Sequence, residues 1–261
     1  MNTPPPEPSF KDHFSVASDK YAAHRPTYPA ALAEYLAGIS PNTRLALDCG
    51  CGTGQLSTLL GNRFQQVIAT DASPQQIANA QPHARVSYRV ATAERSGLPD
   101  ACADLITVAQ AAHWLNLELF YAEARRVARP HAVIALITYG VLHVEGPVDA
   151  IVQQFYHDVI GPYWPAERRH VEEGYRNLPF PFDKITAPVF AMTAQWRLDD
   201  LLGYIDTWSA VQAARKAVGI ETVHTFQHEI TLKWGASEQR RTITWPLSMR
   251  VGHISHHHTP P

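Results

Sequence analysis

The sequence predicts an α/β fold: a doubly wound, mostly parallel sheet of seven strands with a helical cap inserted late in the chain. Three observations carry this. Leu45-Ala46-Leu47-Asp48-Cys49 is a short apolar strand that runs into Gly50-Cys51-Gly52-Thr53-Gly54 and then a helix. From there to Tyr139, apolar strand-like runs alternate with helical segments, as parallel strands joined by crossover helices require. From Gly140 the alternation stops, and an aromatic- and proline-rich stretch follows before strand patterns resume near Val189.

Residues 1–9, with four prolines, read as a loose arm, and 10–40 as an N-terminal lid of helices. Pro29 suits the first turn of a helix over Ala30–Gly38, where a missing N–H costs nothing. The core, 41–140, opens with the strand at Leu45 and the glycine turn. Gly50, Gly52 and Gly54 clear side chains from a place where backbone must turn tightly and approach a ligand. The helix Leu56–Phe64 points its unpaired N–H groups and positive dipole end into the same space. Such a turn accepts a nucleotide-like ligand, whose ribose an acid about 20 residues on would hold. Asp71, ending the strand Val67–Asp71, is that acid.

A dinucleotide loop reads G-x-G-x-x-G; here the glycines fall as G-x-G-x-G, and Gln55 stands where the third small residue belongs. Asp48, just before the first glycine, is placed to accept hydrogen bonds from a cationic or N–H-bearing ligand. Ser73 and Pro74 then cap and open a helix, and Val86–Val90 is a third strand. Leu105–Ala109 is a continuous apolar run, as in the middle of a buried parallel sheet. Its carboxyl end, Gln110-Ala111-Ala112-His113-Trp114, should face the ligand crevice. Leu119–Ala128 reads as an amphipathic helix ended by an Arg129-Pro130-His131 turn, and Val133–Tyr139 as the fifth strand.

The insertion, 141–188, holds Phe155, Tyr156, Tyr163, Trp164, Tyr175, Phe180 and Phe182, with Glu167, Arg168 and Arg169 among them. Concave small-molecule sites are aromatic with a few polar groups, so this segment reads as a cap over an acceptor pocket. Trp114, Tyr139, Trp164 and Arg168 are its candidate lining. A subunit contact or simple core filling is the other reading. The segment 189–252 completes the sheet through strands at Val189–Arg197 and Arg241–Met249, with helices over Leu198–Val218 between them; 253–261 is a His-rich tail.

The chain of 261 residues is 45% hydrophobic and 18% charged, which suits a globular protein with a full core. A formal net charge of −2 with no basic run argues against a nucleic-acid partner. No run of about 20 apolar residues and no leader pattern is seen, so no membrane partner and a cytoplasmic location are expected. Cys49, Cys51 and Cys102 are too few for a disulfide framework, and no cluster at zinc spacing complements the first two, so no metal is expected.

Asp48 to Gly54 followed by Asp71 resembles the first two motifs of class I S-adenosylmethionine (SAM)-dependent methyltransferases. Tyr21-Ala22-Ala23-His24-Arg25-Pro26-Thr27-Tyr28-Pro29, His113-Trp114, Trp208 to Gln212 and Thr244 to Leu247 resemble the type 11, trans-aconitate methyltransferase-like subfamily. The resemblance implies a Rossmann-like methyltransferase sheet whose last strand inserts antiparallel. It implies SAM as cofactor, held by Asp48, Gly50, Cys51, Gly52, Gly54, Gln55, Asp71 and Ala72. Tyr21 and Arg25 would lie in a lid near the methionine end. Ala93 and Glu94 would meet the adenine, because Thr92 stands where many relatives carry an Asp; Gln110 would complete the set. Glu94 is otherwise a solvated loop carboxylate.

The expected reaction is methyl transfer from SAM to a small-molecule oxygen, of a carboxylate or a hydroxyl, by a monomer or homodimer. A carboxylate needs no base; an alcohol or amine does, and His113 is the candidate. A satisfied structural histidine is the competing reading. The DNA amino-methylating motif Asn/Asp-Pro-Pro-Tyr/Phe is replaced by Gln110-Ala111-Ala112-His113, and no Pro-Cys nucleophile appears. A SAM-binding module without turnover stays open, as does, against the glycine spacing, a nicotinamide oxidoreductase.

Overall fold

A computed structural model describes residues 26–236 and 238–255. The arm, the lid residues Tyr21 and Arg25, and tail residues 256–261 lie outside them. Helix α1 (Ala30–Ile39) precedes strand β1 (Leu45–Cys49), and α2 (Gln55–Gly61) joins it to β2 (Gln66–Asp71). Helix α3 (Pro74–Ala78), capped by Ser73, leads to β3 (Val86–Val90). Then come β4 (Ala103–Ala109), α4 (Leu117–Val127) and β5 (Ala128–Tyr139). The expected turn at Arg129–His131 is instead the irregular start of β5. His131 has a φ of 63°, and the β4–β5 register shifts between Ala103 and Leu105.

Strands β3-β2-β1-β4-β5 are parallel neighbours, and β9 (Arg241–His253) lies antiparallel beside β5. The remaining strands are β6 (His143–Val144), β7 (Asp183–Ile185) and β8 (Phe190–Trp196), all paired with β9. Nine segments of the described residues therefore form the sheet, but the register reduces them to seven lines. Tyr139 faces Leu247 and His143 faces Thr244, so β6 prolongs β5 along one edge of β9. Ile185 faces Val251 and Phe190 faces Leu247, so β7 and β8 share its other edge.

Both faces are buried, which is why the strands read as continuous apolar runs rather than alternating ones. On one face Ala46, Val67, Leu105 and Val133 pack with Leu32 and Leu36 of α1 and Leu56 and Leu60 of α2. On the other, Leu47, Ile68, Ile106 and Ile134 pack with Phe120, Ala124 and Val127 of α4. Each fully buried leucine contributes about 1.5–3 kcal/mol. The inserted segment holds short helical pieces among turns: α5 (Asp149–Gln154) runs on as a π turn over Phe155–Val159, and α6 (Arg168–Glu172) follows. After β8 come α7 (Leu198–Asp206), α8 (Ser209–Val218) and α9 (Glu221–Trp234). Helix α9 fills a stretch left unassigned by the sequence reading. Ile254 is 1% exposed and its N–H reaches the Ala132 carbonyl, so the packed chain extends past the expected start of the tail at 253.

Candidate active site

The glycine turn sits at the carboxyl ends of β1 and β2. Gly50 and Gly54 are left-handed, at φ 63° and 86°. A Cβ on Gly50 would lie 2.6 Å from the Ala111 Cβ, and one on Gly54 2.1 Å from the Tyr88 hydroxyl oxygen. The Cys51 N–H donates to the Thr70 carbonyl at 3.0 Å, fastening the turn to β2. Asp71 is aimed at the same turn: Oδ2 accepts the Gly52 N–H at 2.9 Å and Oδ1 the Ser73 N–H at 2.9 Å. Gly52, Gln55, Asp71 and Ala72 are all half-buried, so the rim is only partly covered. Burial, then the charges of Asp48 and Asp71, push the Cys51 thiol up, so it stays protonated and serves as a small residue.

The insertion brings a second group to the carboxyl ends of β4 and β5. His113 lies in a short 3₁₀ turn, Ala112–Trp114, against which α6 packs. Its Nδ1 is 2.8 Å from the Tyr175 hydroxyl, and Trp114 packs on its ring at 4.8 Å between centroids. Burial, then the charges of Arg168 and His170, lower its pKa to about 3, so the ring is neutral. The Arg168 guanidinium lies 4.8 Å from the Trp164 ring centre and 5.6 Å from that of Tyr156. Its Nε donates to the Tyr156 hydroxyl at 2.7 Å, and that hydroxyl donates to Glu172 at 2.7 Å. Among the described residues no carboxylate pairs with Arg168 directly. Trp164 Nε1 is buried without a partner among them. Tyr139 is buried, its ring and that of Tyr28 meeting at 62° with 6.4 Å between centroids. A separate cavity of about 460 Å³, between Glu173, Arg176, Lys184 and Met249, shares no residue with the glycine turn.

A methyltransferase domain matches residues 47–136. A Dictyostelium discoideum protein named as a methyltransferase is 36% identical over 222 residues, 83% of this chain and 84% of that one. The chain belongs to the class I SAM-dependent methyltransferases. A solved Anaeromyxobacter dehalogenans structure, described as a type II methyltransferase, is 46% identical to this methyltransferase. It superposes with a TM-score of 0.84, covering 88% of this chain and 97% of the other. The malonyl-[acyl-carrier protein] O-methyltransferase of Dechloromonas aromatica is 35% identical over 144 residues, 53% of each chain.

Four of the residues expected at the cofactor make contacts within the protein in this methyltransferase. Asp48 is 1% exposed beneath the turn, accepting from Ser57 at 2.6 Å and Thr107 at 2.7 Å, so its carboxylate ties β1 to α2 and β4 rather than facing a ligand. Gln110 turns to β5, accepting from Thr138 at 2.6 Å and donating to the Tyr139 carbonyl at 3.2 Å. Its φ of 57° marks local strain at the end of β4. Glu94 accepts the N–H of Asn116, the residue that caps α4. Ala93 is 5% exposed with its side chain in the core, so the contact expected of it is one its backbone would make. Tyr156 and Tyr175 hold Arg168 and His113, and the sequence marks them only as aromatics of the cap.

Burial raises the Asp48 carboxyl from 3.8 to about 6, against the lowering effect of the Ser57 and Thr107 hydroxyls. Between those values the folded chain keeps a proton that the unfolded chain has released. The contribution of Asp48 to stability is therefore greatest in acid and is lost as pH rises through about 6. Asp48→Asn should remove this slope; urea unfolding of both proteins at several pH values checks it.

Proposed function

We propose that this methyltransferase transfers the SAM methyl group to an oxygen of a small molecule, and that the oxygen belongs to a carboxylate. The observation that carries the cofactor half is Asp71 set on the Gly52 amide, at a turn whose flanking glycines have no room for a Cβ. Backbone approaches the ligand there, and the Asp71 carboxylate can accept ribose hydroxyls beside it. When bound, SAM supplies an electrophilic methyl group and leaves as S-adenosylhomocysteine.

The chain's own residues favour a carboxylate because they offer donors. Arg168 has no carboxylate partner among the described residues, and planar guanidinium matches carboxylate geometry. The buried Trp164 Nε1 is a further donor awaiting an acceptor. The neutral His113 is a weak base, so an acceptor already ionised at neutral pH suits the site better than an alcohol. Aromatic walls exclude water and orient the acceptor, which is most of what such a transfer needs. The Dechloromonas relative, named as an O-methyltransferase, supports oxygen as the acceptor atom.

Calorimetry with SAM, S-adenosylhomocysteine and NAD tests the cofactor; binding of NAD but neither of the others would overturn the reading. Methyl-labelled SAM offered with a panel of carboxylic acids and their matched alcohols tests the acceptor, methyl esters being the expected product. Asp71→Ala should weaken SAM binding by about 1–3 kcal/mol through loss of charged hydrogen bonds. An unchanged affinity would remove Asp71 from the ribose role.

A further inference from the structure

We propose that the cavity between α6, β7 and β9 is a second ligand site, separate from the glycine turn, that takes a small organic anion and whose occupancy bears on the acceptor side. Its ligand is a carboxylate or phosphate ester on a short apolar body. The cavity holds about 460 Å³, a volume usual for small-molecule pockets. Its origin is a gap in the sheet. Ile185 of β7 pairs with Val251 and Phe190 of β8 with Leu247, so among the described residues no strand covers the outer edge of β9 from Ser248 to Arg250. Successive residues of a strand turn their N–H and C=O groups to opposite edges. At least one of those three residues therefore points a main-chain N–H at the opening, and none of them has a backbone partner there among the described residues.

The side chains around the gap are donors with nothing to donate to. The Ser248 hydroxyl, the Arg176 guanidinium and the Lys184 ammonium line the cavity and make no side-chain hydrogen bond or ion pair among the described residues. Gly174, left-handed at φ 60°, keeps the hydroxyl uncovered, since a Cβ there would lie 2.6 Å from its oxygen. Two carboxylates share the wall, and both are already engaged. Glu173 accepts from Asn177 at 2.8 Å and faces Arg169 at 3.8 Å, while Glu172 accepts the Tyr156 hydroxyl proton at 2.7 Å. A negatively charged acceptor satisfies the open donors, and charged hydrogen bonds of this kind are the strong ones. Phe180 and Ile185 supply apolar wall for the rest of the molecule.

Two wall residues lead from the cavity to the acceptor side. Glu172 reaches Arg168 through the Tyr156 hydroxyl. Arg250 donates to the carbonyls of Tyr175 at 3.0 Å, Arg176 at 3.1 Å and Leu178, and the Tyr175 hydroxyl lies 2.8 Å from His113 Nδ1. An anion seated here sets its charge beside both supports. Binding follows from the cavity's own geometry; its bearing on catalysis rests on the acceptor site proposed above.

Calorimetry with benzoate, phenyl phosphate and, as the uncharged control, benzyl alcohol tests the site. At least one anion should bind, the tighter naming the headgroup, and the alcohol should bind about tenfold more weakly or worse. Arg176→Gln combined with Lys184→Gln should weaken the anion about tenfold or more at an unchanged unfolding temperature, while Arg168→Gln leaves it within about twofold. A crystal soaked with the same anion should show it between Arg176, Lys184 and Ser248. In spectra of protein labelled with ¹⁵N-histidine, with His113→Gln identifying the signals, the anion should shift the His113 ring. No anion binding, binding that survives the double variant, or binding that Arg168→Gln abolishes overturns the site, the last by placing the anion in the acceptor pocket. Binding that leaves His113 unmoved overturns the link to the acceptor side. Failure of SAM to bind would instead remove the methyl-transfer reading and leave the cavity's ligand standing.

Discussion

Gly54→Ala is expected to destabilise the fold by about 2–4 kcal/mol and to abolish measurable SAM binding. Two costs combine. The first is conformational: at φ 86° an alanine Cβ is strained whatever space surrounds it. The second is steric. The new methyl would lie 2.1 Å from the Tyr88 oxygen and 2.7 Å from the ring carbon that bears it. The ring must move, and its hydrogen bond to the Gln81 carbonyl, 2.7 Å long, breaks with it. Gly54 is also the residue just before α2, and its carbonyl accepts the Thr58 N–H, so displacement there misdirects the first N–H groups of the helix. Urea unfolding measures the sum, and a cycle with Tyr88→Ala separates the parts. In the Tyr88→Ala background the steric share should vanish while the conformational share persists, a coupling of about 1–2 kcal/mol. If Gly54→Ala unfolds at the wild-type midpoint, the turn does not have the left-handed backbone described.

What the sequence revealed of this site was the part written in local spacing. Three glycines after an apolar strand, with an acid after the next strand, specify backbone shape and one carboxylate; the structure places Asp71 against Gly52 as that spacing predicts. Side-chain direction was another matter. Whether the Asp48 oxygens face a ligand or the core depends on Thr107, 59 residues away, which joins it only when β1 and β4 pair. Gln110 is likewise turned by Thr138 and Tyr139, at the end of a different strand. The left-handed backbone of Tyr175 has no sequence signal, since nothing but tertiary contact pays for it. Helix α9 shows a different failure. Val223, Phe226, Ile230 and Trp234 are buried at helical spacing, so the periodicity was present. Its amino end has no side-chain cap to announce a start, and the stripe is sparse among polar residues.

Arg168→Gln is expected to lower kcat/KM for a carboxylate acceptor on the order of 100-fold while leaving SAM affinity nearly unchanged, since a charged hydrogen bond is worth about 1.5–3 kcal/mol. Arg168 is half-buried against two aromatic rings, and among the described residues no carboxylate pairs with it directly, the nearest link being Tyr156, which relays to Glu172. A protein that needed the residue for packing alone could stack an uncharged side chain on those rings and avoid desolvating a cation. A carboxylate acceptor, as proposed, would supply the missing negative charge, and its binding would convert the desolvation cost into affinity. Arg168→Lys separates charge from shape: it keeps the cation but loses the planar fork and the Nε bond to Tyr156, so it should recover only part of the rate. Steady-state kinetics with acceptor and SAM varied in turn, beside thermal unfolding of each variant, provide the check. If Arg168→Gln keeps wild-type kinetics and loses only stability, the guanidinium is a structural plate between Tyr156 and Trp164. Loss of SAM binding would instead place it on the cofactor side. The glutamine amide still offers two N–H donors, so the rate difference it leaves reports the value of the charge itself at the atom that receives the methyl group.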